Sequence, residues 1–209
     1  YRPVRNRTEL EKALFALGTP AVLKTTRLGY DGKGQRRVAS ADEATAAYAE
    51  LAPHPLVLEA FVPFVREISI VLARGIDGSI AAYEPAENVH RDGILATSTV
   101  PAEISAETAA AALAHATRIA HALDYVGILG VEFFVTESGL VVNEVAPRVH
   151  NSGHWTEAGC HVDQFEQHIR AVAGWPLGDP RRHSDVTMKN LIGDDVHGWP
   201  EYLTSPHAA

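Results

Sequence analysis

Glu132 and Glu144 lie on the two arms of a hairpin pattern, Gly130–Thr136 and Leu140–Val145, with Glu137, Ser138 and Gly139 as the expected turn. That turn sets Thr136 opposite Leu140, Phe134 opposite Val142 and Glu132 opposite Glu144, the two glutamates sharing one sheet face. Two carboxylates directly opposed on apolar flanks repel and are costly to bury. A divalent cation between them removes the conflict, and hard oxygen ligands suit magnesium. The alternative is a register slipped by one residue, which sends one glutamate to the other face.

A second constellation is Gly29-Tyr30-Asp31-Gly32-Lys33-Gly34-Gln35, which follows a strand ending in Lys24. Glycines let backbone N–H groups come close to a phosphate, and Lys24 and Lys33 supply positive charge. The spacing is not that of a P-loop, and no helix follows at once, so the dinucleotide fingerprint fails as well. A mobile turn is the plainer reading of such a loop on its own. Glu59, Ala60, Phe61 and Val62 end a strand run before Pro63, where a carboxylate and free backbone groups can hold a purine and ribose; core packing accounts for them equally. Glu67 opens the next run and reads as a solvated edge position.

Arg148, His150, Asn151 and His154 crowd into seven residues. The His150–His154 spacing suits a metal pair on a helix, yet Pro147 and Gly153 argue for a loop. No zinc-hydrolase carboxylate motif accompanies them, so an anion or substrate site built on Arg148 is the better reading. Loop histidines without a role are the plain alternative, here and for Glu87-Asn88-Val89-His90 in the polar loop expected at Pro85–Gly93. Cys160 has no neighbour to activate it and reads as a small buried hydrophobe.

These groups need elements to position them. Leu10, Ala13, Leu14 and Leu17 recur at helical spacing, so Thr8–Leu17 is expected as a helix. Ala21–Lys24 is a short strand, and Ser40 with Glu43 has the spacing of a capping box opening a helix to about Leu51. Strands are expected at Leu56–Ala60, Arg66–Ala73, Ser79–Glu84 and Ile94–Val100. Ser105 caps a helix to about Asp124, a second helix runs from near Asp163 to Ala173, and Val186–Ile192 is one more strand. Hairpins interleaved with helices predict an α+β fold with a largely antiparallel sheet.

Composition narrows the function classes. The 209 residues carry 18 Lys and Arg against 26 Asp and Glu, a net charge of −8 with eleven neutral histidines. That argues against a broad nucleic-acid surface. One cysteine cannot form an internal disulfide and suits a reducing cytoplasm. No apolar run approaches the roughly 18–20 residues of a membrane span. Tyr1–Arg7 lacks the apolar segment of a secretory signal, and without a starting methionine the sequence reads as a piece of a longer chain.

Lys24, Gly29–Gln35, the run Glu84–Gly93 and the run Asn143–Thr156 occur in that order. Together they closely resemble the N5-carboxyaminoimidazole ribonucleotide synthetases of the ATP-grasp superfamily, from about Arg5 to Asp194. The resemblance implies an ATP-grasp fold, with residues 1–175 as the ATP-grasp domain, a small lid subdomain at about 20–60, and 176–209 as linker and start of a C-terminal domain. It implies that the family's N-terminal domain and most of its C-terminal domain are missing from this sequence. The implied reaction joins bicarbonate to 5-aminoimidazole ribonucleotide, converting ATP to ADP and phosphate through carboxyphosphate, with ATP and magnesium as cofactors. Matched residue by residue, Lys24 and Gly29, Tyr30, Asp31, Gly32, Lys33, Gly34 and Gln35 face the ATP phosphates. Glu59, Ala60, Phe61, Val62 and Glu67 surround adenine and ribose, and His90 and Asn143 also belong to the nucleotide site. Glu132 and Glu144 match the magnesium carboxylates. Tyr30, Asp31, Arg148, His150, Asn151 and His154 handle bicarbonate and the aminoimidazole.

Many ATP-grasp enzymes have asparagine two residues beyond the second metal glutamate; here that position is Ala146, as in the synthetase group. The resemblance further implies a cytoplasmic homodimer acting on small molecules, with neither nucleic acid nor membrane as partner. The glycine-rich loop is expected to close as a lid, because carboxyphosphate hydrolyses readily. The competing readings are a formate-using transformylase or biotin carboxylase-like ligase, a noncatalytic nucleotide-binding fragment, and a histidine-based zinc hydrolase.

Overall fold

The computed structural model describes residues 1–27 and 33–208, in two units. The first is Tyr1–Pro63 with Asp92–Ile94, the second Phe64–Arg91 with Leu95–Ala209. In the first, β1 (Arg2–Val4), β2 (Ala21–Thr25), β3 (Gln35–Val38) and β4 (Leu56–Ala60) form an antiparallel sheet ordered β1-β4-β2-β3. Two helices, α1 (Arg7–Leu17) and α2 (Ala41–Leu51), cover one face. Asn6 caps α1 by accepting from the Glu9 N–H at 2.9 Å. The expected box at α2 is present: Ser40 accepts from the Glu43 N–H, and the Glu43 carboxylate from the Ala39 N–H. Leu10, Ala44 and Leu51 close over Leu23, Leu56 and Leu58, so alternation turns Val22, Lys24 and Glu59 to the opposite face. Neither β1 nor β3 was foreseen. Arg2-Pro3-Val4 and Gln35-Arg36-Arg37 lack an apolar alternation, and ladder bonds to β4 and β2 draw them into the sheet.

The second unit is built on a seven-stranded sheet. Its strands are β5 (Arg66–Arg74), β6 (Ile80–Ala82), β7 (Ala86–Arg91), β8 (Ile94–Val100), β9 (Gly127–Thr136), β10 (Gly139–Ala146) and β11 (Val186–Lys189). The order is β10-β9-β5-β7-β8-β11, with β6 also on β5, and the pairings described are antiparallel. Helix α3 (Ala106–Ala122) lays Ala112, Ala116 and Ala120 on Ile68, Ile70, Leu129 and Phe133. Alanines let the helix come close to a face of large aliphatic side chains. On the other face Val71, Ala73 and Ile128 pack with Tyr83, Trp155 and Cys160. Short α4 (Thr156–Gly159), α5 (Gln164–Val172) and α6 (Trp199–Tyr202) follow; α5 begins beside Asp163 as expected, and the Asp163 side chain caps it. Among the described residues no helix is long and apolar enough to cross a membrane.

Two expectations fail here. Pro85–Gly93 is not a loop: Ala86–Arg91 is strand β7, joined to β8 through Asp92 and Gly93 at φ 52 and 79°. Asp-Gly with two positive φ angles is a preferred two-residue hairpin turn, outweighing the polarity of the flanking residues. Glu67 is not at an edge either, because β5 runs between β9 and β7.

Candidate functional site

Alternation along β5 sends Ile68, Ile70 and Leu72 beneath α3 and turns Glu67 and Ser69 to the other face. There the register sets Ser69 opposite Glu132 on β9, and Glu67 opposite Asn88 on β7. Glu144 on β10 pairs with Glu132, as the sequence predicted. The route to that pairing differs from the expected one. The turn is two residues, Glu137-Ser138, so Gly139 pairs with Thr136, and Val141 rather than Val142 faces Phe134. A bulge between Val142 and Glu144 then absorbs the difference. Two residues opposing one at a bulge re-aims side chains. Here both Asn143 and Glu144 address the face of Glu132, with Asn143 Nδ2 donating to Glu132 Oε2 at 3.3 Å.

The result is an acidic face stiffened by histidines. His90 Nδ1 is hydrogen-bonded to Glu67. Burial opposes its imidazolium, but Glu67, Glu132 and Glu144 together outweigh that and raise its pKa above the ordinary value. Glu132 is buried at 9% exposure. Desolvation raises its pKa, countered by His90, while Glu144 and Glu67 raise it further. A buried carboxylate facing a second one gains most from a cation.

Beside this face, His150 sits over Gly130: a Cβ at Gly130 would lie 2.9 Å from the His150 Cβ, so only glycine admits the ring. Its Nε2 is 3.9 Å from Glu132 Oε1, and its Nδ1 meets the Ser152 hydroxyl at 2.8 Å. Burial, with Arg148, His154 and His90 nearby, pushes the imidazole down to about 4, so it is neutral at neutral pH. Gln164, fully buried, holds the segment from both sides: Oε1 accepts from the His150 N–H at 2.9 Å and Nε2 donates to its carbonyl at 2.8 Å. No sequence signal marked Gln164, because a lone glutamine after a cap residue belongs to no spacing pattern.

Asn151 opens a short 3-10 turn, and His154 stacks on Phe165 with ring centroids 5.5 Å apart. Arg148 is exposed, its guanidinium donating to the Val149 carbonyl at 2.9 Å. Among the described residues no three His, Cys, Asp or Glu side chains are grouped to hold a metal ion. The Glu132–Glu144 pair does fit magnesium, an ion typically held by one or two carboxylates and completed by phosphate oxygens and water.

In the first unit Lys24 Nζ pairs with Glu59 Oε2 at 2.6 Å, and Gln35 is the cross-strand neighbour of Lys24. Arg37 lies over the Phe61 ring at 4.1 Å, and the Phe61 N–H donates to the Pro20 carbonyl at 3.1 Å. Ala60 ends β4, and Val62 follows it half-buried. Gly34, at φ 75°, accepts from the Thr25 N–H through its carbonyl, and Lys33 is exposed. Gly29, Tyr30, Asp31 and Gly32 lie outside the described residues.

Comparison with known proteins bears on the whole arrangement. A family model for the ATP-grasp domain matches residues 1–165. The N5-carboxyaminoimidazole ribonucleotide synthase of Brucella melitensis biotype 1 is 58% identical over 211 residues, covering 100% of this chain and 58% of that protein. The crystal structure of an N5-carboxyaminoimidazole ribonucleotide synthetase in complex with ADP superposes with a TM-score of 0.92 at 40% identity, covering 97% of this chain and 54% of that one. The Aspergillus clavatus synthase, solved with ADP and 5-aminoimidazole ribonucleotide, gives 0.91 at 29% identity, covering 98% and 56%. The chain therefore spans just over half the length of these relatives. With antiparallel sheets, paired glutamates on a bulged hairpin and a family match over most of its length, this chain belongs to the ATP-grasp family.

Proposed function

We propose that the chain is the ATP-grasp portion of an enzyme carboxylating 5-aminoimidazole ribonucleotide with bicarbonate, at the expense of ATP, in purine biosynthesis. The observation that carries this is the Glu132–Glu144 pair, backed by Asn143 and by the Glu67–His90 hydrogen bond on one sheet face. The names of the similar proteins, and the ADP and aminoimidazole ribonucleotide in their structures, support the choice of substrates. Bound magnesium supplies Lewis-acid stabilisation of phosphate charge. Glu132 and Glu144 would hold it, with Asn143, which donates to Glu132, keeping that carboxylate oriented. Lys24 and Gly29–Gln35 would hold the ATP phosphates, Glu59, Ala60, Phe61, Val62 and Glu67 would surround adenine and ribose, and His90 would belong to the nucleotide site.

Arg148 positions bicarbonate so that one of its oxygens attacks the terminal phosphorus as the bond to the bridging oxygen breaks and ADP leaves, and neutralises charge that develops on the resulting carboxyphosphate. Asn151, His154, Tyr30 and Asp31 orient the aminoimidazole, whose amine then takes the carboxyl group as phosphate leaves. Neutral His150, fixed by Ser152 and Gln164, presents Nε2 to this side of the site without adding charge. The same reading makes the protein cytoplasmic and homodimeric, acting on small molecules rather than nucleic acid. Steady-state kinetics of the complete enzyme test it: Glu144→Gln is expected to lower ATP turnover by at least about 100-fold at saturating magnesium. Near-normal turnover would remove the assignment.

A further inference from the structure

Two buried polar atoms on the acidic face lack a hydrogen-bond partner among the described residues, the Ser69 hydroxyl and the Asn88 amide nitrogen. Both side chains are sealed from solvent, Ser69 at 1% and Asn88 at 4% exposure. Unpaired buried groups destabilise a fold, so two on neighbouring strands call for a reason. Asn88 is held by Ser98, whose Oγ donates to Asn88 Oδ1 at 2.7 Å and leaves Nδ2 as a free donor.

The register places each of these donors directly across from a carboxylate of the site. Ser69 stands opposite Glu132, and Asn88 opposite Glu67. Opposed side chains of an antiparallel pair have Cβ atoms about 4.5–5.5 Å apart, close enough for one hydrogen bond once the longer side chain turns. In the structure Glu132 accepts instead from Asn143, and Glu67 is bonded to His90.

We propose that Ser69 and Asn88 are positioning residues, each donating to the carboxylate across from it when that carboxylate turns to engage magnesium and nucleotide. The inference rests on reading this face as the magnesium–nucleotide site. A carboxylate with one oxygen on a cation or a ribose hydroxyl leaves the other for a donor, and such outer donors orient ligands and strengthen metal binding. The two unpaired atoms then weaken the free protein and are satisfied in the complex.

Ser69→Ala removes one of them with little change of shape. Calorimetric titration of the chain with ADP at stepped magnesium chloride concentrations, beside thermal unfolding without ligand, separates a positioning role from a structural one. The expected result is an unfolding temperature unchanged or raised, with the magnesium needed for half-maximal ADP binding increased about 10-fold or more. Ser69→Thr, which keeps the hydroxyl, restores the affinity. Asn88→Asp, which keeps the bond from Ser98 but exchanges donor for acceptor, shows the same weakening as Ser69→Ala. A Ser69→Ala protein that unfolds at lower temperature yet binds magnesium and ADP like the wild type overturns the proposal. If the wild-type chain binds ADP without regard to magnesium, or Glu144→Gln leaves binding unchanged, the underlying site reading falls and this proposal with it.

Discussion

Arg148 and Cys160 show how differently two chemically capable side chains of one chain can be used. Arg148 is exposed, with one guanidinium bond to its own segment, and is available to an anion. In the complete enzyme Arg148→Ala is expected to cut carboxylation at least about 100-fold while nucleotide affinity changes little; kinetics in bicarbonate and aminoimidazole, beside direct ADP binding, separate the two. Loss of ADP binding with carboxylation intact would move Arg148 to the nucleotide. Cys160 is buried, and burial, with Glu84 nearby, pushes its thiol up to about 12. Native protein is therefore expected to resist iodoacetamide at pH 8 and to react once unfolded in guanidinium. Because the folded pKa is raised above the ordinary 9.0, this thiol's contribution to stability is complete below pH 9 and fades as pH rises toward about 12. Cys160→Ala should flatten that alkaline decline in the unfolding midpoint; an unchanged slope would show that another group causes it. The inert character of Cys160 was readable from its neighbours in sequence. Gln164 was not, since its two bonds reach a segment fourteen residues away.

At the scale of elements, the hairpin of β9 and β10 decides what the acidic face can do. A two-residue turn and a bulge at Asn143 reach the same glutamate pairing that a three-residue turn would give without one. The two solutions differ in one respect: the bulge brings an amide beside the carboxylates. Deleting Asn143 is expected to leave Glu144 opposite Glu132 and the circular dichroism unchanged, while weakening magnesium-dependent ADP binding about 10-fold. Unchanged binding by titration calorimetry would make the bulge incidental. Charge spacing revealed the pair because a period of two fixes faces, but turn length and bulge depend on local dihedral energies that spacing does not encode. The same gap hid β7, where an Asp-Gly turn overrode a run of polar residues.

For the whole molecule the relevant quantity is how ligand binding adds to folding. Each unit has its own core, Leu23 and Leu58 with α1 and α2 in one, Ile70 and Phe133 with α3 in the other. A ligand that binds only the folded state at 100 times its Kd adds about 2.7 kcal/mol. For a chain of this size that corresponds to a rise of roughly 5–10 °C in unfolding temperature. Magnesium with ADP is expected to produce such a rise, a chelator to abolish it, and Glu144→Gln to lose it; a rise that survives chelation would place the nucleotide away from the glutamates. The sequence by itself determined the antiparallel α+β character, the capped helices, the opposed glutamates and the family resemblance. Those depend on periodicity and on short-range spacing, which a linear chain displays directly. Tertiary structure alone decided that Glu67 sits mid-sheet beside His90, that His150 is sealed over Gly130, and that the Ser69 hydroxyl and the Asn88 amide nitrogen, without a partner among the described residues, stand opposite carboxylates. Each of these depends on which strands become neighbours, and that choice is made by burial of the whole apolar surface rather than by any local pattern.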